Sequence, residues 1–308
     1  MGHQQDRRRN VYTLGIIGGS GLYEMDGLSR VDALRVTTSF GDPSDAIVSG
    51  WIGDTRLLFL PRHGRGHRIP PHRLNARANV MALKEAGATH LLSLSAVGSM
   101  REEIRPGDLV VIDQLIDRTR SRPQTFFDDD GVVAHVSLAD PVDAALSAVV
   151  ADVATAVVAE RGNGAKVHHG GTYVCIDGPQ FSTRAESRLF RSWGIDVIGM
   201  TALPEARLAR EAELPYALVA FSTDYDCWHE SEEDVTVEAV LAVLARNVEA
   251  GREIVRRVAP RLPDPAGCPA TRALAGAIMT SPELITPQAR QKLGVLLAKH
   301  GAVSSPKA

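Results

Sequence analysis

Two carboxylates, Asp224 and Asp226, follow directly on a short apolar run that begins at Leu218. The run is typical of a buried strand in a parallel sheet, and ligands of open α/β sheets lie at the carboxyl ends of such strands. Two acids that are partly desolvated there can share or hold a proton near neutral pH. Such a pair could protonate a ring nitrogen of a departing base and accept hydrogen bonds from an exocyclic amine. Taken alone, the pair is equally compatible with a solvated loop at a strand end.

A glycine-rich turn, 18–21, follows the first apolar run of the chain, 11–17. Glycines allow backbone N–H groups to converge on an anion, and Ser20 adds a hydroxyl donor. The turn lacks the dinucleotide-binding fingerprint because Glu24 stands at the third glycine position, and it lacks the Gly-Lys-Ser/Thr ending of a P-loop. Either an anion site or an ordinary turn is compatible with this pattern.

A second strand is followed by the loop 61–68, which is rich in cations and in glycine. Arg62 is suited to a bidentate contact with phosphate, and His63 can add a further donor. An anion or ribose site and a solvated basic loop both fit this composition. A metal site made of His63, His67 and His72 does not fit, because two consecutive prolines interrupt any helix through them. Neither an acid nor a cysteine completes a ligand set there.

The rest of the chain alternates predicted strands with predicted helices, which is typical of an α/β fold with one parallel or mixed sheet. Strands are predicted in short pieces at 34–60, and at 90–95, 109–112, 170–176 and 197–200, and helices at 73–86, 144–161, from a Ser182 or Thr183 cap to 193, and 204–213. Hydroxyl groups again follow two strands, at Ser95 and Thr201, so we expect one composite pocket. Phe181 either joins the core or stacks on a planar ring. The polar connection 113–135 exceeds an ordinary loop and predicts a functional or inter-subunit excursion.

Composition and charge exclude several classes of protein. A net charge of −3 over 308 residues gives no electrostatic footprint for nucleic acid or an anionic membrane. No apolar run reaches membrane-spanning length, and the run after Arg7-Arg8-Arg9 is too short and too soon broken by glycine for a twin-arginine export signal. Three scattered cysteines predict a reduced, cytoplasmic protein without a disulfide framework or a zinc site.

The sequence predicts three segments. Residues 1–10 form a disordered N-terminal tail, residues 11–258 form one globular domain, and residues 259–308 form a C-terminal extension. Closely spaced prolines from Pro260 onward indicate a linker, and Thr286-Pro287 is typical of the start of a short amphipathic helix. We expect deletion of the residues from 265 onward to leave catalysis intact.

Taken together and in order, these motifs resemble the trimeric purine nucleoside phosphorylase family, most closely its 5′-methylthioadenosine phosphorylase branch. The resemblance covers roughly residues 11–255, so the tail lies outside it. The motifs are Gly18-Gly19-Ser20-Gly21-Leu22, Pro61-Arg62-His63-Gly64, Asn75-x-x-Ala78-Asn79, Gly98-Ser99-x-Arg101-Glu102-Glu103-Ile104, Arg122-Pro123-Gln124, Gly178-Pro179-Gln180-Phe181-Ser182-x-Arg184-Ala185-Glu186, Gly199-Met200-Thr201-x-x-Pro204-Glu205 and Thr223-Asp224-Tyr225-Asp226-Cys227-Trp228. The resemblance implies a single-domain phosphorylase/hydrolase-like fold, with a central mixed β-sheet flanked by helices.

The resemblance also implies roles for individual residues. Phosphate would be held by Ser20, Arg62, His63, Ser95, Thr201 and the backbone N–H of Ala96. The family usually has threonine where Ser20 and Ser95 stand, and a hydroxyl is retained at both. Phe181 and Ser182 would line the base site, Met200 would lie under the ribose, and the 5′-methylthio group would be surrounded by His67, Val237, Val240 and Leu241. His135 would come from a neighbouring subunit of a homotrimer or hexamer.

The implied reaction is phosphorolysis of S-methyl-5′-thioadenosine to adenine and 5-methylthioribose 1-phosphate, a pentosyl transfer in purine and methionine salvage. Breaking the N-glycosidic bond builds positive charge on the ribosyl carbon and negative charge on the purine, so the transition state needs an anion beneath the sugar and a proton at N7. Bound phosphate is both that anion and the nucleophile, so no metal or other cofactor is required. Asp224, with a pKa raised by burial and by Asp226, is predicted to supply the proton.

Two other functions compete with this one. A 6-oxopurine nucleoside phosphorylase would use inosine, guanosine or methylthioinosine, but two carboxylates reject a 6-oxo acceptor unless they are protonated. Relatives with that preference carry an asparagine near the acidic pair, and this chain has none there. A non-catalytic nucleoside-binding protein is the alternative from another class, and it has no need for the phosphate-site residues.

Overall fold

The computed structural model describes residues 12–128, 131–229 and 237–300, and one mixed sheet organises them. Its eleven strands in this part of the chain are β1 (Thr13–Gly18), β2 (Ser29–Leu34), β3 (Ile47–Ile52), β4 (Thr55–Pro61), β5 (His90–Ser99), β6 (Leu109–Val111), β7 (Gln114–Asp117), β8 (Val167–His169), β9 (Thr172–Cys175), β10 (Val197–Gly199) and β11 (Tyr216–Asp224). They pair in the order β2-β3-β4-β1-β5-β10-β9-β7, while β11 pairs with β5 and β6, and β8 with β6. The predicted α/β fold with a central mixed sheet is confirmed.

Helices cover both faces of this sheet. They are α1 (Ala76–Glu85), α2 (Ala144–Arg161), α3 (Arg184–Ser192), α4 (Ala202–Glu211), α5 (Val237–Val258), α6 (Pro287–Lys292) and α7 (Gly294–Leu297). Side chains of a strand alternate between faces, so Ile16 and Ile17 of β1 enter different hydrophobic clusters. The cluster around Ile17 includes α1 and α4, and the cluster around Ile16 includes α2 and α5.

Helix boundaries follow local capping chemistry. Asp143 caps α2 by accepting a hydrogen bond from the backbone N–H of Leu146, and Gly162 ends the helix in the left-handed conformation. Thr183 and Glu186 form a reciprocal capping box at the start of α3. The predicted bounds of α2 and the predicted Thr183 cap are therefore confirmed.

Four parallel strands, β4, β1, β5 and β11, run in the same direction at the centre of the sheet. Gly18 at the end of β1 stands opposite Pro61 at the end of β4, so the loops that follow are neighbours. β11 pairs with β5 in register from Tyr216, and a bulge after Ser222 brings Asp224 opposite Gly98. The loops with hydroxyl, cationic and acidic residues consequently meet at one edge of the sheet.

Three strands were missed by the sequence patterns, and one of them, β2, lies before the predicted strand region 34–60 except for Leu34. The other two are β7 and β8. β7 lies inside the polar connection that was predicted as an excursion, and it pairs in parallel with β9. β8 precedes β9 and pairs with β6. Both strands have only three or four residues, which is too short for a period-two pattern to appear.

The tail from Ala259 is packed onto the domain. Instead of a linker, it forms short 3₁₀ turns, and its buried side chains Leu274, Leu293 and Leu297 join the cluster that contains α1 and α4. Thr286 caps α6 as predicted, by accepting a hydrogen bond from the backbone of Ala289. The predicted N-terminal tail, 1–10, lies outside the described residues.

Among the helices of residues 12–128, 131–229 and 237–300, none has both the length and the apolar character needed to cross a bilayer.

Candidate active site

The acidic pair at the end of β11 is held in place by its own backbone and by one hydroxyl. Oδ1 of Asp224 accepts a hydrogen bond from the backbone N–H of Asp226 at 2.8 Å. Oδ2 of Asp224 lies 2.7 Å from the hydroxyl of Thr223, which is also 3.1 Å from the carbonyl oxygen of Val97. The carboxylate of Asp224 therefore has a defined orientation before any substrate is bound.

Asp226 is the more deeply buried acid. Its side chain retains 8% exposure, and its backbone has a positive φ of 52°. Burial raises the pKa of Asp226 to about 6, a hydroxyl contact from Ser187 opposes this rise, and the charge of Asp224 adds to it. Asp226 can therefore hold a proton near neutral pH. From the sequence, the neighbouring Asp224 was predicted to hold that proton.

Gly98 forms the floor beneath the acids. A Cβ at this position would lie 2.9 Å from Oδ1 of Asp224 and 3.3 Å from Cβ of Asp226. Trp228 closes the same corner, with its indole N–H donating to the carbonyl of Ser99 at 2.8 Å. The role of Gly98 was not predicted, although a glycine inside an apolar strand indicates a close approach of another group.

Two of the predicted phosphate ligands meet across the sheet edge. The hydroxyls of Ser95 and Thr201 are 3.0 Å apart, and the hydroxyl of Tyr173 lies 3.5 Å from that of Ser95. The half-buried Ala96 follows Ser95 on β5. Ser20 lies in a 3₁₀ turn at Ser20–Tyr23, and the position of its side chain is outside the description. Ser95 and Thr201 form a small cluster of hydroxyl donors, suited to an anion.

Arg62 is buried next to the Ser95–Thr201 cluster, and most of its hydrogen bonds go to protein groups. A guanidinium carries five N–H donors, and four of those on Arg62 are taken by protein acceptors. Nε donates to Glu205 at 3.1 Å, Nη1 to the carbonyl of Leu94 at 2.9 Å, and Nη2 to the carbonyl of Ile17 and the hydroxyl of Ser93. This arrangement does not match the bidentate phosphate contact predicted from the sequence, because at most one Nη1 hydrogen remains for a ligand.

His63 is fixed by a hydrogen bond to the backbone, which leaves Nε2 as an acceptor in this structure. Its Nδ1 lies 2.8 Å from the carbonyl oxygen of Ile69, so Nδ1 carries the hydrogen. Burial, helped by the charge of Arg62 and opposed by the hydrogen bond to Ile69, lowers the pKa of His63 to about 4, so the ring is neutral at pH 7. Nε2 is then an acceptor, which does not match the donor role predicted for His63. The exposed ring of His67 stacks on it at 4.2 Å.

The predicted base-binding residues lie on the loop before α3. Phe181 is 46% exposed, so its ring is available to stack rather than part of the core. The hydroxyl oxygen of Ser182 is buried and has no hydrogen-bond partner among the described residues. The thiol of Cys227 reaches the carbonyl of Ser182 at 3.3 Å, which places this loop against the acidic pair.

Arg122 belongs to one of the family motifs, but the sequence predicted no role for it. Its Nη1 donates to the carbonyls of Met200 and Leu203 at 2.7 and 2.8 Å, and its Nη2 donates to the carbonyls of Ile176 and Asp177 at 3.2 and 2.8 Å. Arg122 therefore ties the ends of β9 and β10 together and fixes Met200. Only the tertiary structure shows this, because all four acceptors are backbone groups.

The structure says less about the residues predicted around the 5′-methylthio group and at the subunit interface. Val237, Val240 and Leu241 lie in the first turns of α5, and their side chains are outside the description. His135 is exposed, and its backbone N–H donates to Ala277 of the tail at 2.9 Å. Within residues 12–128, 131–229 and 237–300, no three His, Cys, Asp or Glu side chains form a group that could hold a metal ion.

Comparisons with known proteins agree with this geometry. The family model of the phosphorylase superfamily matches residues 13–260. S-methyl-5′-thioadenosine phosphorylases from Geobacter sulfurreducens and Koribacter versatilis are 50% and 49% identical, each match covering 93% of this chain and 98% and 96% of the relative. Matches that cover 93% of the chain must include part of the tail after residue 258. The resemblance recognised in the sequence ended at about residue 255.

Solved structures give the same result. The crystal structure of a methylthioadenosine phosphorylase from an Antarctic soil metagenomic library is 40% identical, with a TM-score of 0.87, over 94% of this chain and 100% of that chain. Methylthioadenosine phosphorylase from Schistosoma mansoni in complex with adenine is 36% identical, with a TM-score of 0.79, over 87% of this chain and 99% of that chain. The chain therefore belongs to the phosphorylase superfamily and, within it, to the S-methyl-5′-thioadenosine phosphorylases.

Proposed function

We propose that this protein cleaves S-methyl-5′-thioadenosine with inorganic phosphate, giving adenine and 5-methylthioribose 1-phosphate. One observation carries the proposal: the adjacent parallel strands β5 and β11 bring Ser95, which meets Thr201 beyond the end of β10, and the Asp224–Asp226 pair to the same edge of the sheet. Hydroxyl donors suit the anion, and the acids suit the leaving base. The relatives named for this activity support the choice of nucleoside.

The acids act on the purine. Asp224, oriented by Thr223 and by the backbone of Asp226, donates a proton to N7 as the glycosidic bond breaks. Asp226 accepts a hydrogen bond from the 6-amino group when ionised and can resupply the proton when protonated, because its pKa is about 6. Protonation of the leaving base by a positioned acid contributes about 10²–10⁴-fold to the rate.

Phosphate acts on the sugar. It is held by the hydroxyls of Ser20, Ser95 and Thr201 and the backbone N–H of Ala96, and it donates its own hydroxyl to Nε2 of His63. One of its oxygens attacks C1′ while the C1′–N9 bond breaks, so no protein nucleophile is needed. We propose no cofactor, since phosphate itself supplies the negative charge beneath the ribosyl cation.

The rest of the nucleoside site follows the family pattern. Phe181 stacks on the base, Ser182 faces it with its unpartnered hydroxyl, and Met200 lies under the ribose. His67, Val237, Val240 and Leu241 surround the 5′-methylthio group. We also propose a homotrimer or hexamer in which His135 reaches a neighbouring pocket, and a cytoplasmic location, as the free cysteines suggest.

The test is base release from S-methyl-5′-thioadenosine and from inosine, side by side, with and without phosphate. We expect adenine only when phosphate is present, and little hypoxanthine from inosine. Hypoxanthine as the main product would keep the fold and overturn the assignment of the two acids. Release of neither base, with nucleoside binding intact, would favour a non-catalytic binding protein.

A further inference from the structure

Arg62 and Glu205 form an ion pair inside the protein. Their side chains are 4% and 6% exposed, and the carboxylate accepts from Nε of Arg62 at 3.1 Å and from Nη2 at 3.4 Å. The buried hydroxyl of Tyr216 adds a third hydrogen bond to Oε1 of Glu205 at 3.2 Å. Burial opposes the charge on Arg62, but Glu205 outweighs it and keeps the pKa of Arg62 raised.

The pair connects the segments that carry the predicted phosphate ligands. Arg62 binds the carbonyl of Ile17, directly before the glycine turn with Ser20, and the carbonyl of Leu94, directly before Ser95 and Ala96. Its own backbone N–H donates to the carbonyl of Gly18 at 2.9 Å. Glu205 lies one turn after Thr201 in the first part of α4. Each ligand-bearing segment is thus attached to one guanidinium.

We propose that Glu205 is a positioning residue for the phosphate subsite: it holds Arg62 in the orientation that sets the spacing of the three donor segments around the anion. This inference rests on the proposed function, because it concerns the same phosphate site. Glu205 itself does not touch phosphate. Its two carboxylate oxygens accept hydrogen bonds from Arg62 and from Tyr216.

The chemistry of the pair predicts what a minimal change does. In Glu205→Gln the size is kept, but the amide NH₂ must replace either Oε2, which accepts from Nε of Arg62, or Oε1, which accepts from Nη2 of Arg62 and from the Tyr216 hydroxyl. In either orientation the NH₂ meets an N–H of Arg62, so one hydrogen bond of the guanidinium is lost and a buried cation is left without its counter-charge. Arg62 then moves, and the hydroxyl segments lose their common support.

The experiment measures binding of inorganic phosphate by calorimetry and the KM of each substrate, for wild type and Glu205→Gln. We expect phosphate to bind at least about 10-fold and up to about 10²-fold more weakly, as a misplacement of about 1 Å would cause, while the KM for the nucleoside changes less than about threefold. The matched control is Glu211→Gln. Glu211 is also buried on α4, but it accepts from Thr125 and Phe126 instead. Phosphate affinity should be unchanged in this control.

Several outcomes would overturn the proposal. Unchanged phosphate binding in Glu205→Gln would remove the positioning role, and tighter binding would show that Glu205 acts only by repelling the anion. A double-mutant cycle covers a poorly folding single variant: in an Arg62→Met background, Glu205→Leu should change phosphate affinity by less than about threefold, because an apolar pair of similar volume is tolerated in cores. A large further loss there would contradict action through Arg62.

Phosphate binding is measured without nucleoside, so the two proposals fail separately. Wild-type protein that binds phosphate but releases no base would contradict the proposed function alone.

Discussion

At the scale of single residues, Asp226 combines a function with a cost in stability. Its ordinary pKa of 3.8 rises to about 6 in the folded protein, because burial disfavours the charged form. The folded state therefore holds this proton more tightly than the unfolded state, and the contribution of Asp226 to stability falls as pH rises from about 4 to 6. Above pH 6 the ionised group costs on the order of 3 kcal/mol.

Asp226→Asn should therefore stabilise the protein at pH 7.5 and inactivate it. We expect a gain of about 1–3 kcal/mol in the free energy of unfolding, because the amide needs no ionisation and asparagine tolerates the positive φ at this site. Denaturant unfolding at pH 7.5 and at pH 4 is the measurement. The gain should shrink towards pH 4, where Asp226 is protonated in the folded wild type; a gain of equal size at both pH values would contradict the assignment.

Asp224→Ala tests the proton donor. We expect turnover to fall about 10²–10⁴-fold, because the leaving base loses its acid. Binding of inorganic phosphate should change little, since the phosphate donors lie on other segments. Equal losses in turnover and in phosphate affinity would show that Asp224 has a different role.

The types of the site residues were predictable from the sequence, but their protonation and partners were not. Asp224 and Asp226 are recognisable because two acids follow an apolar strand. Arg62 and His63 look like phosphate donors for the same kind of reason. In the structure, Arg62 donates to the backbone carbonyls of Ile17 and Leu94, and His63 donates to that of Ile69. Which carbonyl a buried donor meets depends on how the strands and loops pack, so the sequence pattern does not predict it.

At the scale of elements, the contact between β5 and β11 determines where the acids sit. Gly98 faces Asp224 across this pair, and no side chain fits between them. Gly98→Ala should displace the carboxylate of Asp224 and raise the KM for the nucleoside about 10-fold or more, with phosphate binding preserved. Steady-state kinetics with each substrate varied in turn gives both values.

Gly267→Ala is the matched control for that substitution. A Cβ on Gly267 meets no atom within 4 Å, so kinetics should be unchanged. Similar effects from both substitutions would show that the loss at Gly98 reflects general destabilisation instead of the contact with Asp224.

Long elements were predicted well and short ones poorly. The 18 residues of α2 carry a cap at each end, and both ends were predicted. β7 and β8 have four and three residues, and their strand character comes from pairing with β9 and β6, which a local pattern does not contain. α1 begins at Ala76 rather than at 73, because Asn75 provides the cap.

At the scale of the whole molecule, the tail belongs to the core that supports the site. Glu213, at the end of α4, accepts from the backbone N–H of Leu274 and from the ring of His300, each at 3.1 Å. These contacts argue against the prediction that catalysis survives deletion from residue 265 onward. Removal of the tail would expose the apolar surface of α1 and α4 on which it packs.

Leu293→Ala should measure this contribution. Leu293 is fully buried in the shared cluster, so we expect a loss of about 2–5 kcal/mol in the free energy of unfolding. Leu284→Ala, at a tail position that is 69% exposed, should change it by less than about 0.5 kcal/mol. Equal, small effects in denaturant unfolding would show that the tail folds apart from the domain.

The near-neutrality of the phosphate site has a consequence for the catalytic cycle. Glu205 balances Arg62, and His63 is uncharged, so the anion is held by polar groups rather than by net positive charge. The sugar product carries the same phosphate group, and whatever attracts the co-substrate also retains the product. A strongly cationic site would bind phosphate tightly and then release the sugar phosphate slowly, and product release limits turnover in many enzymes. We therefore expect a high KM for phosphate and fast release of the sugar phosphate.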